Sequence, residues 1–206
     1  MKLIRNINEL RESRVKSIVK KRLKEFESFK NKPSKEWFSE LCFCILTANS
    51  KAVTALQIQK ELGAKGFCSY YFRDIRNSIK KNKHRFHNNK AKYITEARCH
   101  VDIKQKLKSM KDTEAREWLI KNIKGVGYKE ASHFLRNVGC KNLAILDRHI
   151  INLMHENRIL KQKPNLTKKN YLKIEEKFKN LAVRLSMSPA ELDLYMWYLK
   201  TGNVLK

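Results

Sequence analysis

The chain has 206 residues, of which 42% are hydrophobic, so it is long enough to bury a substantial core. It carries 46 lysine and arginine residues against 20 acidic ones, and the net charge of +26 favours a polyanionic partner, foremost nucleic acid. No stretch approaches the length of a membrane span and the first residues lack the apolar segment of a signal peptide, so we expect a soluble intracellular protein.

Charge alone leaves other interpretations open. A lysine-rich surface adapted for solubility or heat tolerance, RNA binding and contact with a membrane surface all fit it. Five cysteines occur without a CxxC pair or the spacing of zinc ligands. We therefore expect reduced cysteines that are buried as small hydrophobic side chains, and no metal site built from them.

The apolar pattern predicts helices along the whole chain. Apolar residues recur at three- and four-residue steps from Ile7 to Phe29, which predicts one long first helix that ends by Pro33. Gly63 is placed to end a helix, Asp147 to cap one, and Ser188-Pro189 to begin the last. Further helices are predicted over residues 70–81, 90–108, 113–124, 148–157 and 171–186. Because no strand-like alternation of any length occurs, we predict an all-α fold.

Residues 123–139, IKGVGYKEASHFLRNVG, contain two glycines between two predicted amphipathic helices. A connection this short needs glycine, either because a side chain would clash or because φ must become positive. Bare backbone N–H groups at the start of the second helix, together with its dipole, suit a phosphate. An ordinary turn between two helices also fits, but the basic flank and Lys129 just inside the second helix favour binding to DNA.

This arrangement resembles the helix-hairpin-helix element, about residues 113–139, of the HhH-GPD superfamily of DNA glycosylases. Members with lyase activity carry a lysine two residues after the second hairpin glycine, where Lys129 stands, and an aspartate about one helix later, where Asp147 stands in LAILDRHI. ILTANSKAVTA resembles the segment that fills the gap left by a flipped base and places Asn49 there. FHNNKAKYI resembles the family's Asn-x-Lys-Ala helix start.

No cysteine follows Cys140, which disfavours the endonuclease III branch with its iron–sulfur cluster. The small size and the final lysine resemble the type 2 archaeal and bacterial 8-oxoguanine DNA glycosylase/AP lyases. That resemblance implies base excision repair in a prokaryotic cytoplasm or nucleoid, no required cofactor, duplex DNA with a damaged base as partner, and a monomer. It also implies two helical lobes, residues 33–127 and residues 1–32 plus 128–206, with the hairpin at their junction.

The resemblance assigns chemistry to two side chains. Lys129 would attack C1′ of a flipped nucleotide, and Asp147 would stabilise the cationic sugar. An amine adduct can rearrange to a Schiff base, which makes β-elimination and strand nicking accessible. The helix dipole in the first turn disfavours a charged Lys129, and the nucleophile must be neutral.

The remaining site residues are assigned by position. Asp193 and Trp197 lie four apart on one helix face and would hold the lesion base, with Phe86 as the other wall and the terminal Lys206 reaching in. The DNA backbone would meet Gly125, Val126, Gly127, Asn49 and His149. Backbone carbonyls of Lys121, Ile123 and Val126 match positions at which family members hold a monovalent cation.

Three other classes of function stay open on the sequence: another lesion, DNA binding without catalysis, and RNA binding. The same fold acts on oxidised pyrimidines or mismatched adenine, and only the pocket residues separate these activities. A non-catalytic helix-hairpin-helix module or a helical RNA-binding protein would need the positive charge but not the pair of Lys129 and Asp147.

Overall fold

The computed structural model describes residues 2–206, and these residues form α-helices joined by short turns, with no strand among them. The predicted all-α class is therefore confirmed. The helices are α1 Lys2–Arg11, α2 Val15–Ser28, α3 Ser34–Thr47, α4 Ala52–Ser69, α5 Phe72–Lys81, α6 His87–Glu96, α7 Ile103–Leu107, α8 Asp112–Asn122, α9 Tyr128–Asn137, α10 Arg148–Glu156, α11 Lys168–Arg184 and α12 Pro189–Thr201.

The chain divides into two compact units. The discontinuous unit contains the residues up to Ser28 and Gly139–Lys206, and the continuous unit is Phe29–Val138. The division falls at 29 and 138, whereas the sequence suggested 33 and 127. The reason is that α9 is tied to α8 through the hairpin and also packs on α3, so the helix that carries Lys129 belongs to the continuous unit.

In the continuous unit, α3 is the central helix. Every residue from Trp37 to Thr47 is buried, because α4, α6, α7 and α9 all pack against it. Cys42 and Cys44 lie in this core as predicted. Cys99 differs from the prediction, since it is exposed on a short 3-10 turn.

In the discontinuous unit, α12 is the central helix, and α1, α2, α10 and α11 pack on it. Its start follows the prediction, since Ser188 caps it by accepting a hydrogen bond from the Glu191 N–H at 3.2 Å and Pro189 follows at the first helical position.

The single long first helix predicted from Ile7 to Phe29 is wrong, because the segment forms α1 and α2 with a break between Arg11 and Val15. The hydroxyl of Ser13 donates to the Leu10 carbonyl at 2.8 Å and accepts the Val15 N–H at 3.2 Å. A serine that bonds its neighbouring backbone competes with the helix ladder, and here it ends one helix and starts the next.

Candidate functional site

Gly125 makes the tight turn between α8 and α9. Its φ is 79°, which a residue with a side chain rarely adopts. A Cβ added there would also overlap the ring of Tyr93 on α6, lying 2.8 Å from its Cε2 atom. Val126 turns inward and is 6% exposed. Both reasons for glycine that the sequence suggested, positive φ and steric clash, therefore apply at this position.

Gly127 has a different role. Its backbone is extended, with φ of −103°, so a positive φ is not what requires glycine there. Its N–H donates to Oε2 of Glu130 at 3.2 Å. One of the backbone donors that the sequence assigned to a phosphate therefore already has a partner within the chain.

The second hairpin helix, α9, is fixed from two sides within its unit. The ring of Phe134 packs edge-on against Trp37 of α3, with centroids 6.2 Å apart, and Asn137 Nδ2 donates to Glu40 Oε1 of α3 at 2.7 Å. On the α8 side, the Arg116 guanidinium lies over the ring of Tyr128 at 5.2 Å. The first turn of α9 is thus held against α8, and its later turns are held against α3.

Lys129 projects from this first turn. Its side chain is 23% exposed, and its Nζ lies 3.1 Å from Glu130 Oε1. Glu130 therefore joins two elements, the backbone of the hairpin through one oxygen and the Lys129 ammonium through the other.

A second lysine, Lys90 of α6, is buried in the same unit. It is 5% exposed, and its Nζ donates to the Ile45 carbonyl of α3 at 2.7 Å. Burial lowers the pKa of Lys90 to about 8, the nearby Glu130 carboxylate opposes this shift, and Lys129 adds to it. The sequence reasoning assigned no role to Lys90 or Glu130. Their signals were the Asn-x-Lys-Ala start for Lys90 and, for Glu130, a glutamate three residues after a helix N-cap.

Asp147 lies at the N-cap of α10, as predicted. Its Oδ1 accepts the Ile150 N–H at 2.8 Å, and the residue is half-buried. The preceding residues Leu143–Leu146 are buried, and the hydroxyl of Tyr171 accepts the Leu146 N–H and donates to the Ala144 carbonyl. A buried segment on one side and a helix start on the other therefore hold the carboxylate in place.

Three residues that the sequence assigned to the lesion or to DNA lie on α10 and α12 of the discontinuous unit. The rings of His149 and Trp197 meet edge to face with centroids 5.1 Å apart. Asp193, one turn before Trp197 on α12, is 4% exposed. The indole nitrogen of Trp197 is buried and has no hydrogen-bond partner within residues 2–206. An unpaired buried donor is costly, which makes this nitrogen a candidate ligand contact.

The C-terminal tail is attached to its unit. The Gly202 N–H donates to the Tyr198 carbonyl at 2.8 Å, and Val204 is 9% exposed. Lys206, two residues further, is half-buried. The tail that carries the predicted lesion-contacting lysine is thus packed against the protein.

Asn49 and Phe86 lie in the continuous unit. Asn49 is exposed in the turn between α3 and α4 and has a φ of 59°, unusual for a residue with a side chain. Phe86 is half-buried at the start of α6, with the Arg85 guanidinium 5.1 Å from its ring centroid.

The predicted cation positions are backbone groups of the hairpin. The Ile123 carbonyl accepts the Val126 N–H at 3.3 Å, and a carbonyl oxygen has a second lone pair for a cation. Across the part of the chain that the structure describes, no group of three or more His, Cys, Asp or Glu side chains is placed to hold a metal ion. The assignment of Lys121, Ile123 and Val126 to a cation remains a prediction.

Comparison with known proteins gives the family. The sequence model of a family described as 8-oxoguanine DNA glycosylase matches residues 19–187. The chain belongs to this family. The predicted membership is therefore confirmed.

Relatives of the family cover the chain from end to end. The 8-oxoguanine DNA glycosylase/AP lyase of Methanocaldococcus jannaschii is 48% identical over 208 residues, which is 100% of each chain. A crystal structure of the M. jannaschii enzyme in complex with a 15mer DNA containing 8-oxoguanine superimposes with a TM-score of 0.98, covering 100% of each chain at 47% identity. The 8-oxoguanine DNA glycosylase of Thermotoga maritima matches with a TM-score of 0.95 at 36% identity, covering 100% of this chain and 99% of that one. Within residues 2–206, no helix is long and apolar enough to cross a bilayer.

Proposed function

We propose that this chain excises 8-oxoguanine from duplex DNA and then nicks the strand, with Lys129 as nucleophile and Asp147 as the stabilising carboxylate. The observation that carries the proposal is the position of Lys129 in the first turn of α9, directly after the Gly125–Gly127 hairpin. Membership of the 8-oxoguanine DNA glycosylase family supports the choice of lesion.

The chemistry follows from an amine nucleophile. Attack of the neutral Lys129 Nζ on C1′ expels the base and forms a carbon–nitrogen bond to the sugar. The adduct nitrogen then loses a proton and the ring oxygen O4′ gains one. The C1′–O4′ bond breaks as the nitrogen lone pair forms the double bond to C1′, which gives a protonated imine and a free hydroxyl. Removal of a C2′ proton then expels the 3′ phosphate by β-elimination. These steps need a base, a carboxylate and water, and therefore no cofactor.

Asp147 supports the same transition state. As the base leaves, positive charge develops on the sugar, and a fixed carboxylate stabilises it. Its hydrogen bond from the Ile150 N–H and the buried segment before it keep the side chain from reorienting. A preorganised charge costs little rearrangement when the sugar becomes cationic.

The lesion base is assigned to the residues of α12 and the tail. The flat Trp197 ring would stack on a purine, and Asp193 would accept hydrogen bonds from its edge. The buried indole nitrogen of Trp197, which has no partner within the described residues, supports a further contact to the base. Lys206 completes this set, with Phe86 as the opposite wall.

The DNA backbone is assigned to exposed polar groups. Of the hairpin residues, the exposed Gly125 would present its N–H to a phosphate, while Val126 and Gly127, whose N–H groups already donate to Ile123 and Glu130, would shape the turn around it. His149 would add one contact. Asn49, held at a positive φ on an exposed turn, would fill the space of the flipped nucleotide. The net charge of +26 would steer the polyanion to the protein.

A cleavage and borohydride-trapping assay tests the proposal. Duplexes with 8-oxoguanine, thymine glycol, adenine opposite 8-oxoguanine, an abasic site or no lesion are incubated with the wild type and Lys129→Gln. Lys124→Gln is the matched control, because it removes an equal charge from the same hairpin, where Lys124 pairs with Glu96 at 3.2 Å.

We expect excision and trapping on 8-oxoguanine, trapping on the abasic duplex, and loss of both in Lys129→Gln alone. Excision of thymine glycol or mismatched adenine instead of 8-oxoguanine would contradict the assignment of the pocket. Tight duplex binding without trapping on any substrate would overturn the enzyme and leave a DNA-binding module.

A further inference from the structure

Glu130 makes two contacts that join the hairpin to Lys129. Its Oε2 accepts the Gly127 N–H at 3.2 Å, and its Oε1 lies 3.1 Å from Lys129 Nζ. Adjacent residues on a helix normally point in different directions. The pair forms here because the Glu130 side chain folds back to the start of α9, where the Lys129 side chain also lies. The Glu130 side chain is 14% exposed, so the ion pair is partly shielded from bulk water.

Lys90 supplies the opposing charge. Its buried Nζ, fixed on the Ile45 carbonyl, interacts electrostatically with both Glu130 and Lys129. A cation there disfavours a second cation at Lys129, whereas the Glu130 carboxylate favours one. The three side chains form a charge cluster, Lys90–Lys129–Glu130, within the continuous unit.

We propose that Glu130 is a positioning residue that holds Lys129 at the start of α9 and, in opposition to Lys90, sets the pH range in which its amine is available. This inference rests on the proposed role of Lys129 as the nucleophile. The proposed reaction requires the ion pair between Lys129 and Glu130 to break, because a lysine that is held as an ammonium cannot attack C1′.

The two partners of Lys129 act in opposite directions. Removing the Glu130 charge stabilises the neutral amine, so the rising limb of the rate–pH profile moves to lower pH. Removing the Lys90 charge stabilises the ammonium, so the rising limb moves to higher pH. A residue that only supported the fold would lower the rate at every pH without moving the limb.

The other charged and titratable groups around α9 have contacts of their own. They are Glu117 at the Tyr128 hydroxyl and Arg116 over the Tyr128 ring on α8, Glu40 at Asn137 on α3, His133 against the Phe43 ring on α9 itself, and His84 on the Leu46 carbonyl near Lys90. They are unchanged in the variants below and so contribute equally to each profile.

The test is the single-turnover rate of trapping with cyanoborohydride, a reductant that survives in acid, on an abasic duplex between pH 5 and pH 10. The proteins are the wild type, Glu130→Gln and Lys90→Met. Glu114→Gln is the matched control: Glu114 has the same position in α8 that Glu130 has in α9 and accepts the Lys111 N–H at 3.0 Å. It tests the loss of one capping carboxylate that has no contact with Lys129.

For each protein the rate at acid pH is divided by its own plateau rate at high pH. We expect this ratio to be about tenfold larger in Glu130→Gln than in the wild type, which corresponds to a rising limb moved by about one pH unit. Lys90→Met should be slower there, and Glu114→Gln should match the wild type. If Glu130→Gln fails to fold by thermal unfolding, Glu130→Ser replaces it. Serine also removes the negative charge, so the shift should have the same sign.

Profiles of Glu130→Gln and Lys90→Met that coincide with the wild-type profile would overturn the inference while leaving Lys129 as the nucleophile. A wild type that forms no trapped complex at any pH would instead overturn the proposed function.

Discussion

Gly125 is the residue on which the hairpin geometry depends most directly, and Gly125→Ala tests it. Two penalties act on the variant. The alanine must adopt a φ of 79°, and its Cβ must displace the Tyr93 ring from α6. Gly202 provides the reference, because it has a left-handed backbone with a φ of 70°, but a Cβ added there meets nothing within 4 Å.

The magnitude follows from separating these penalties. Left-handed backbone costs a residue with a side chain about 1–2 kcal/mol. Gly202→Ala should therefore lower the free energy of unfolding by about 1 kcal/mol, because alanine also loses less conformational entropy than glycine on folding. Gly125→Ala carries the same cost plus overpacking, typically about 1–3 kcal/mol. We expect a loss of about 2–4 kcal/mol. Gly127→Ala should cost under about 1 kcal/mol, since its backbone is extended and its added Cβ meets only the end of the Glu130 side chain, at 3.3 Å.

Urea unfolding of the three variants measures the stability terms, and duplex binding measures the functional one. The double variant Gly125→Ala/Tyr93→Ala should recover part of the loss, because the ring that the new Cβ strikes is absent. Equal losses in Gly202→Ala and Gly125→Ala would refute the reasoning about Tyr93. A Gly125→Ala protein as stable as the wild type would refute the positive φ as well.

Three further predictions concern single side chains. Asp147→Asn should still cap α10, so its free energy of unfolding should stay within about 0.5 kcal/mol of the wild type. Its single-turnover rate of excision should fall at least about 100-fold. An unchanged rate would mean that Asp147 only caps the helix. Trp197→Leu should slow 8-oxoguanine excision about tenfold or more. Nicking of an abasic duplex should stay within about twofold of the wild type, because that substrate has no base to stack. Equal losses on both substrates would contradict the assignment of Trp197 to the lesion pocket. Since the pKa of Lys90 falls from 10.5 to about 8 on folding, the unfolded chain binds the extra proton between these values, and stability rises with pH there. Relative to Lys90→Met, wild-type stability in urea unfolding should rise by on the order of 3 kcal/mol from pH 8 to pH 10.5; a flat difference would contradict the buried charge.

Local rules predicted much of the fold. The cap at Ser188 and the cap at Asp147 were predictable because an N-cap is a contact between neighbours in sequence. The hairpin was predictable because two glycines between apolar faces leave few alternatives. The break at Ser13 was not, since the apolar spacing continues across it and only the hydroxyl's hydrogen bonds reveal it.

The candidate site was predictable in part. Lys129 and Asp147 follow from motif positions, and whether they act as assigned stays a prediction. The electrostatic surroundings of Lys129 were out of reach, because the bond between Lys90 and the Ile45 carbonyl spans 45 positions. The pair of Lys129 and Glu130 was hidden for the opposite reason. Adjacent charges on a helix usually point apart, and only the bond from Glu130 to the Gly127 N–H turns the carboxylate back.

The central claim is that Lys129 forms the covalent bond to the sugar, and mass spectrometry of the trapped complex tests it most directly. Wild-type protein is reduced with borohydride on a duplex containing 8-oxoguanine, digested with nuclease and protease, and its peptides are sequenced. We expect the sugar remnant on the peptide that contains Lys129. A remnant on Lys90, on another lysine or on the N-terminal amine would contradict it.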